Sequence, residues 1–563
     1  MTSDGLPPPP REPRLALALL FLGSLFAFAF SAHGYLENTD AEITMHASRA
    51  WWQRGGPGLV GPGREALLAS GESSWPAEQA IVGAYLEDPK LPRYGRMGVD
   101  GKGYVWFPIG HQALFVPAMA LADLCARLWP DTEARFRELK ADPLRGQFFF
   151  ERFFASFLSP LAAAGTVIAL WLLLRALGVR AKDALIAIGV ATLCTQFWPG
   201  SRETLSDMPG TFFLVACAAL VARYARPLPA GGDPGTLLLA GLLGGLGVLV
   251  RYPQALPLAG LGAWAAHATW RAKHLVHLVW FAAGGLPALA LLLYANQSRF
   301  GDPLETGYSG GVGFSSYPLL YGLPLLFLAF GKGMLWFSLP LWSAFAQLGK
   351  RAVRSSAPLR FVLLTFVVPL PLYATLHYWA AGQCWGIRYL TGVIVLVVAV
   401  ALALGRPWQT SPRTFWAIAA LGFVLSAGGI VTSYVGHQQY AYLAAPVEWQ
   451  RPPHEVDNNV NFEPRYSPLH GHWVYAWLAA SGRIESGRSE DSTEPLFGVR
   501  VTGISPPRRE DSGFRHVWWR YVRDVWPGFP SAPVGAGLAL AALLLLTLGA
   551  RGLLRADAAS GRA

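Results

Sequence analysis

Apolar runs close to the length of a bilayer-spanning helix, about 20 residues, recur along this chain far more clearly than strand-like alternation. They fall at 14–33, 153–174, 184–199, 208–222, 236–250, 253–269, 276–295, 318–331, 334–349, 359–379, 389–405, 414–435 and 532–550. Gly331, Lys332 and Gly333 interrupt one of them, so residues 318–333 read as a re-entrant or surface-packed segment. About twelve spans remain, and an even number puts both termini on one side. The expected fold class is an all-α polytopic membrane protein.

Basic residues in alternate short loops give the expected orientation. With the N-terminus inside, the inner segments hold Arg11 and Arg14; Arg175, Arg180 and Lys182; Arg223 and Arg226; Arg271 and Lys273; Lys350, Arg351 and Arg354; Arg406 and Arg413; and Arg551, Arg555 and Arg562. The first run could serve as a signal peptide, but its length and the spans that follow favour an anchor. The expected organisation is a cytoplasmic tail at 1–13, a transmembrane domain at 14–435 with a long outer loop at 34–150, an outer region at 436–530, and a last span and tail at 531–563. Trp449, Trp473, Trp477, Trp518, Trp519 and Trp526, among many Pro and Gly, suggest a small mixed outer region near the membrane surface.

Composition agrees with burial in lipid. Hydrophobic residues make up 53% and charged residues 14% of 563, with a mean hydropathy of +0.32. These values exclude a disordered, collagen-like or ordinary soluble chain. Four cysteines without Cys-x-x-Cys spacing provide neither a disulfide scaffold nor a zinc knuckle. The net charge of +11 collects in inner loops facing anionic lipid, not in one basic face, so nucleic acid is not an expected partner.

Residues able to carry chemistry lie in the outer segments. Ile43, Ala47, Ala50 and Trp51 recur at helical spacing opposite Glu42, His46, Arg49 and Gln53, predicting an amphipathic interfacial helix with Asp40 at its start. Thr39 and Glu42 have capping-box spacing, which explains these acids structurally. Gly101 to Phe115 brings Lys102 and His111 to a second interfacial segment, and the turn Ser201 to Gly210 crowds Arg202, Glu203 and Asp207 at the membrane edge. Arg251, Arg299, Lys332 and Arg388 add cations at the same depth. Snorkelling explains each singly; their shared side suits a substrate with an anionic head and a lipid tail, since arginine binds phosphate bidentately.

This arrangement resembles the GT-C glycosyltransferases that use polyprenyl-phosphate sugars, in the branch of the protein O-mannosyltransferases and the lipid A aminoarabinose transferase. The resemblance runs from residue 14 to about 405 and rests on Thr39-Asp40-Ala-Glu42, Tyr104 to Gly110, Leu205-Ser-Asp207-Met-Pro, Gly241 to Arg251, and Trp385-Gly-Ile-Arg388-Tyr-Leu. It implies Asp40 as catalytic base and Asp207 as a second catalytic acid. Glu42, Lys102, His111, Arg202, Glu203, Arg251, Arg299 and Arg388 become candidate substrate-binding residues. Some members hold the donor phosphate with a lysine where Phe107 stands here, leaving that role to Lys102 or an arginine. A divalent metal on Asp40 and Glu42, with His46 and His111 as further ligands, is the alternative chemistry; no metal site is assigned.

The expected function is sugar transfer, with inversion, from a polyprenyl-phosphate donor to an envelope acceptor that is a lipid, glycan or protein. The expected location is the inner membrane, with the site facing the periplasm and membrane lipids around it. A transporter or flippase of lipid-linked sugars, or a non-catalytic envelope assembly protein acting through residues 436–530, remains open.

Overall fold

The computed structural model describes residues 13–60, 82, 94–139, 148–226, 232–308, 319–376, 379–382, 384–435, 437, 438, 441, 461–480 and 517–560. Every apolar run read from the sequence is helical in it. The helices that frame the fold are α1 (Arg14–Ser31), α2 (Thr39–Arg54), α3 (Ile109–Leu128), α4 (Phe149–Ala155), α5 (Leu158–Ala176), α6 (Ala181–Leu193), α7 (Asp207–Tyr224) and α8 (Pro234–Val250). They continue as α9 (Ala255–Arg271), α10 (Leu278–Phe300), α11 (Leu319–Leu328), α12 (Pro340–Gln347), α13 (Ala357–Val367), α14 (Leu370–Thr375), α15 (Thr391–Gly405), α16 (Pro412–Val431), α17 (Trp518–Val525) and α18 (Ser531–Ala559). One hairpin, β1 (Gly95–Met97) with β2 (Gly103–Val105), pairs Arg96 with Tyr104.

Among the described residues, eight helices are long and apolar enough to cross a membrane. That is fewer than the sequence expectation of about twelve, because several runs are interrupted. The run 334–349 breaks before Pro340, leaving an eight-residue helix, and the helices in 184–199, 236–250 and 253–269 have 13, 17 and 17 residues, short of the roughly 20 that a bilayer core requires. The break at Lys332 follows the expected interruption.

The helix that is apolar on every side takes the centre. From Thr391 to Gly405 every residue of α15 except Leu404 is buried, and α6, α7, α12 and α13 pack around it. Elsewhere glycine permits close crossings. A Cβ on Gly241 would lie 1.9 Å from the Phe281 carbonyl oxygen, and one on Gly284 would lie 2.0 Å from that of Leu238, so α8 and α10 meet backbone to backbone. The first helix is an integral part of the bundle, since α1 packs along α18 and against α5.

The expected inner loops converge on one end. Arg175 pairs with Asp557 at 2.6 Å, Arg406 with Asp183 at 3.2 Å, Arg226 donates to the Ala176 carbonyl, and Lys350 donates to that of Gly405. The opposite end carries the candidate site. Although α3 is long and apolar enough to span, both its ends contact elements there: Gly110 touches Leu249, and beyond its C-terminus Thr132 accepts from Trp526 while Glu133 caps Phe149 and Phe150 at the start of α4. It therefore lies across that end, as the interfacial reading expected.

Trp449 and most of residues 436–530 lie outside the described residues. The parts that are described, Pro468–Ala480 and α17, are helical, so the mixed character expected there is not seen among them.

Candidate active site

Four side chains from four separate segments form one charged cluster. Asp40 sits in the first turn of α2, Asp207 begins α7, Arg251 caps the C-terminus of α8, and Arg388 opens the 3-10 turn preceding α15. Arg388 Nη2 donates to Asp40 Oδ2 at 3.0 Å, and its Nε lies 3.9 Å from Asp207 Oδ2. Arg251 Nη2 reaches Asp207 Oδ1 at 2.9 Å, while its Nη1 donates to the Tyr389 carbonyl at 3.3 Å. Carboxylates and guanidinium groups thus alternate, all four largely buried.

Local chemistry puts them there. A carboxylate at a helix start complements the positive end of the helix dipole, which suits Asp40 and Asp207. The cap of α2 is nevertheless not the expected Thr39–Glu42 box. Asn38 is the N-cap and its side chain accepts from the Asp40 N–H at 2.8 Å. Glu42 instead takes three hydrogen bonds from Arg152 on α4 at 2.9 to 3.1 Å, fastening the interfacial helix to the bundle. With Glu42 committed to Arg152, the structure does not join it to Asp40 as a metal pair. Among the described residues, no group of three or more His, Cys, Asp and Glu comes together that could hold a metal ion.

Aromatic rings enclose the cluster. Tyr373 stacks on Tyr389 at 4.9 Å, and Tyr308, stacked on Trp106 at 5.1 Å, packs edge-on to Tyr252. Burial, reinforced by Tyr252 and Asp40, raises the Tyr308 phenol and keeps it a neutral donor. His111 is buried beside Asp207 and Arg388, and neither ring nitrogen has a hydrogen-bond partner among the described residues. The same is true of His46, held neutral by burial and by Arg152 and Arg49.

Other expected binding residues have different work. Arg202 donates to the Gly429 and Ile430 carbonyls and contacts His33 Nδ1 at 2.9 Å, tying α16 to the end of α1. Arg299 folds onto the end of its own helix, bonding Ala295 and Asn296. Lys102 lies at the hairpin turn with its alkyl chain against Gly58. Glu203 accepts from the Trp385 N–H at 2.9 Å, and burial lifts its carboxyl to about 7 against the opposing pull of that bond, Arg388 and Lys332. Residues missed by sequence reading, Tyr308 and Arg152 above all, carry no local signal, because their partners lie far away in the chain.

A multi-pass helical membrane protein with carboxylates and arginines gathered at one end of the bundle is the class that fold and site define. Residues 148–295 match the family model described as dolichyl-phosphate-mannose-protein mannosyltransferase, which bears out the resemblance to GT-C glycosyltransferases using polyprenyl phosphate. Similar solved structures include ArnT from Cupriavidus metallidurans in the apo state, at 14% identity and TM-score 0.44, covering 95% of this chain and 76% of that one. The same protein bound to undecaprenyl phosphate aligns at 16% identity and TM-score 0.45, covering 97% and 78%. An Archaeoglobus fulgidus oligosaccharyltransferase in the apo form follows at 12% and 0.36, covering 80% and 60%. No curated protein matches the chain.

Proposed function

We propose that the protein is a membrane glycosyltransferase that moves a sugar from a polyprenyl-phosphate donor to an acceptor hydroxyl outside the cytoplasm, with inversion. The observation that carries the reading is Arg388 lying between Asp40 and Asp207. Each guanidinium lies against an aspartate in this cluster. A donor phosphate entering it takes the place of the Asp40 oxygen at Arg388, beside Arg251, and Asp40 is released to accept a proton.

Asp40 then takes the proton from the acceptor hydroxyl as its oxygen attacks the anomeric carbon. The bond from that carbon to the phosphate oxygen breaks, and its electron pair leaves with the polyprenyl phosphate. Arg388 and Arg251 neutralise the departing charge, and one displacement inverts the anomeric centre. Asp207 holds both arginines in register. The end of the bundle bearing the cluster faces the periplasm of an inner membrane, and the transmembrane unit runs from 14 to 435. The test is transfer from labelled polyprenyl-phosphate sugar in membranes: loss with Asp40→Ala is expected, and retained transfer removes Asp40 as the base.

A further inference from the structure

The segment that delivers Arg388 has little regular structure of its own to hold it. Between Trp379 and Leu390 the backbone takes positive φ at Ala381 (64°), Gly382 (70°) and Gly386 (66°). A left-handed conformation at a residue with a Cβ, as at Ala381, persists only when its surroundings over-determine it. Those surroundings are three side chains from distant segments. Lys332 Nζ donates to the Gly382 carbonyl at 2.7 Å and to that of Cys384 at 2.5 Å. Glu203 Oε1 accepts from the Trp385 N–H at 2.9 Å. Gln196 Nε2 donates to the Ile387 carbonyl at 2.7 Å, one residue before Arg388.

Two of the three are ionisable groups in a buried setting, where a neutral amide would serve a passive loop at less desolvation cost. Lys332 is fully buried, 4.5 Å from the centre of the Tyr434 ring, and it brings opposite charge to Glu203 from across the loop. Glycine flanks it on both sides. A Cβ on Gly331 would come within 2.7 Å of Asn461 Oδ1, and one on Gly333 within 2.7 Å of the Ala329 backbone, so the lysine is presented by a tightly enclosed turn.

We propose that Lys332 and Glu203 are positioning residues that grip the backbone on either side of Trp385 and thereby set the Arg388 guanidinium between Asp40 and Asp207. The inference rests on the reading of that cluster as the donor-phosphate site. Neither side chain touches the phosphate; each acts through the loop.

The purified full-length protein in detergent is tested with a polyprenyl phosphate that carries no sugar, and amide hydrogen exchange is followed over residues 384–390. Lys332→Met and Glu203→Leu each weaken binding about tenfold or more, the scale of a hydrogen bond to a charged group, and speed exchange in that segment. Lys332→Arg and Glu203→Gln, which keep a donor and an acceptor, recover most of both. In an Arg388→Ala background Lys332→Met and Glu203→Leu add little further loss, because residues acting through one group are not additive. Full additivity in that background, or unchanged exchange in both single variants, overturns the clamp. Unchanged binding by Arg388→Ala alone overturns the phosphate reading instead, and the exchange result still decides whether the loop is gripped. If Lys332→Met does not fold, Glu203→Leu, at a less buried position, supplies the same comparison.

Discussion

Arg388 donates to Asp40 at 3.0 Å although 348 residues separate them in the chain. The same guanidinium approaches Asp207 at 3.9 Å, so the proposed base and the proposed phosphate-holding cation are electrically coupled before any substrate arrives.

Replacing Arg388 by alanine is expected to reduce transfer about 100-fold or more, the scale seen when one donor to a developing oxyanion is removed. Arg388→Lys recovers only part of this, because an ammonium cannot reach two carboxylates with a planar fork. Initial rates with labelled donor, resolved into kcat and KM, measure both.

The Asp207–Arg251 pair, with side chains only 13% and 9% exposed, is expected to behave as a buried ion pair. Asp207→Asn or Arg251→Met alone costs about 3 kcal/mol of stability by stranding the partner, and the double variant costs less than the sum. Thermal unfolding of the four proteins in one detergent completes the cycle.

Glu42 separates structural from chemical acids on the same helix. Glu42→Gln breaks the bidentate bond to Arg152 and lowers stability by about 2 kcal/mol, while the folded protein keeps its donor KM. Asp40→Asn does the reverse, sparing stability more than turnover. Melting curves read beside transfer rates tell the two apart.

Two loop carboxylates give pH effects of opposite sign. Burial raises Glu203 from 4.5 to about 7, so its favourable contribution is present below about 4.5 and is lost as pH rises through 7. Glu37 is lowered from 4.5: burial pushes it up, but its pair with His33, the Arg202 charge and the Ser433 hydroxyl outweigh that. Its contribution is present above 4.5 and lost as pH falls through its lowered folded value. Melting temperatures from pH 5 to 8 are expected to show Glu203→Gln gaining on the parent as pH rises. Glu37→Gln is destabilised across the whole range.

The sequence by itself determined the helices and the two ends of the bundle. Without water in the hydrocarbon layer every span must satisfy its own backbone, so about 20 apolar residues declare a helix locally. Charge is excluded from the same layer, so the basic loops that meet around Asp557 and the acids at Asp40 and Asp207 could be sorted by side from position alone. The amphipathic helix that starts at Asp40 was legible for the same reason, whereas the second outer segment was read only from Gly101 to Phe115 and its helix runs on to Leu128. Tertiary structure decided which charges share a site. Glu42 and Asp40 are two residues apart, yet one fastens α2 to Arg152 and the other meets Arg388. Arg202 and Arg388 look alike in sequence, yet one is spent on carbonyls of α16 and the other lies between two aspartates. An ion pair depends on which distant helix ends the packing brings within about 4 Å, and small-residue crossings such as Gly241 against Phe281 fix that only once the whole bundle closes.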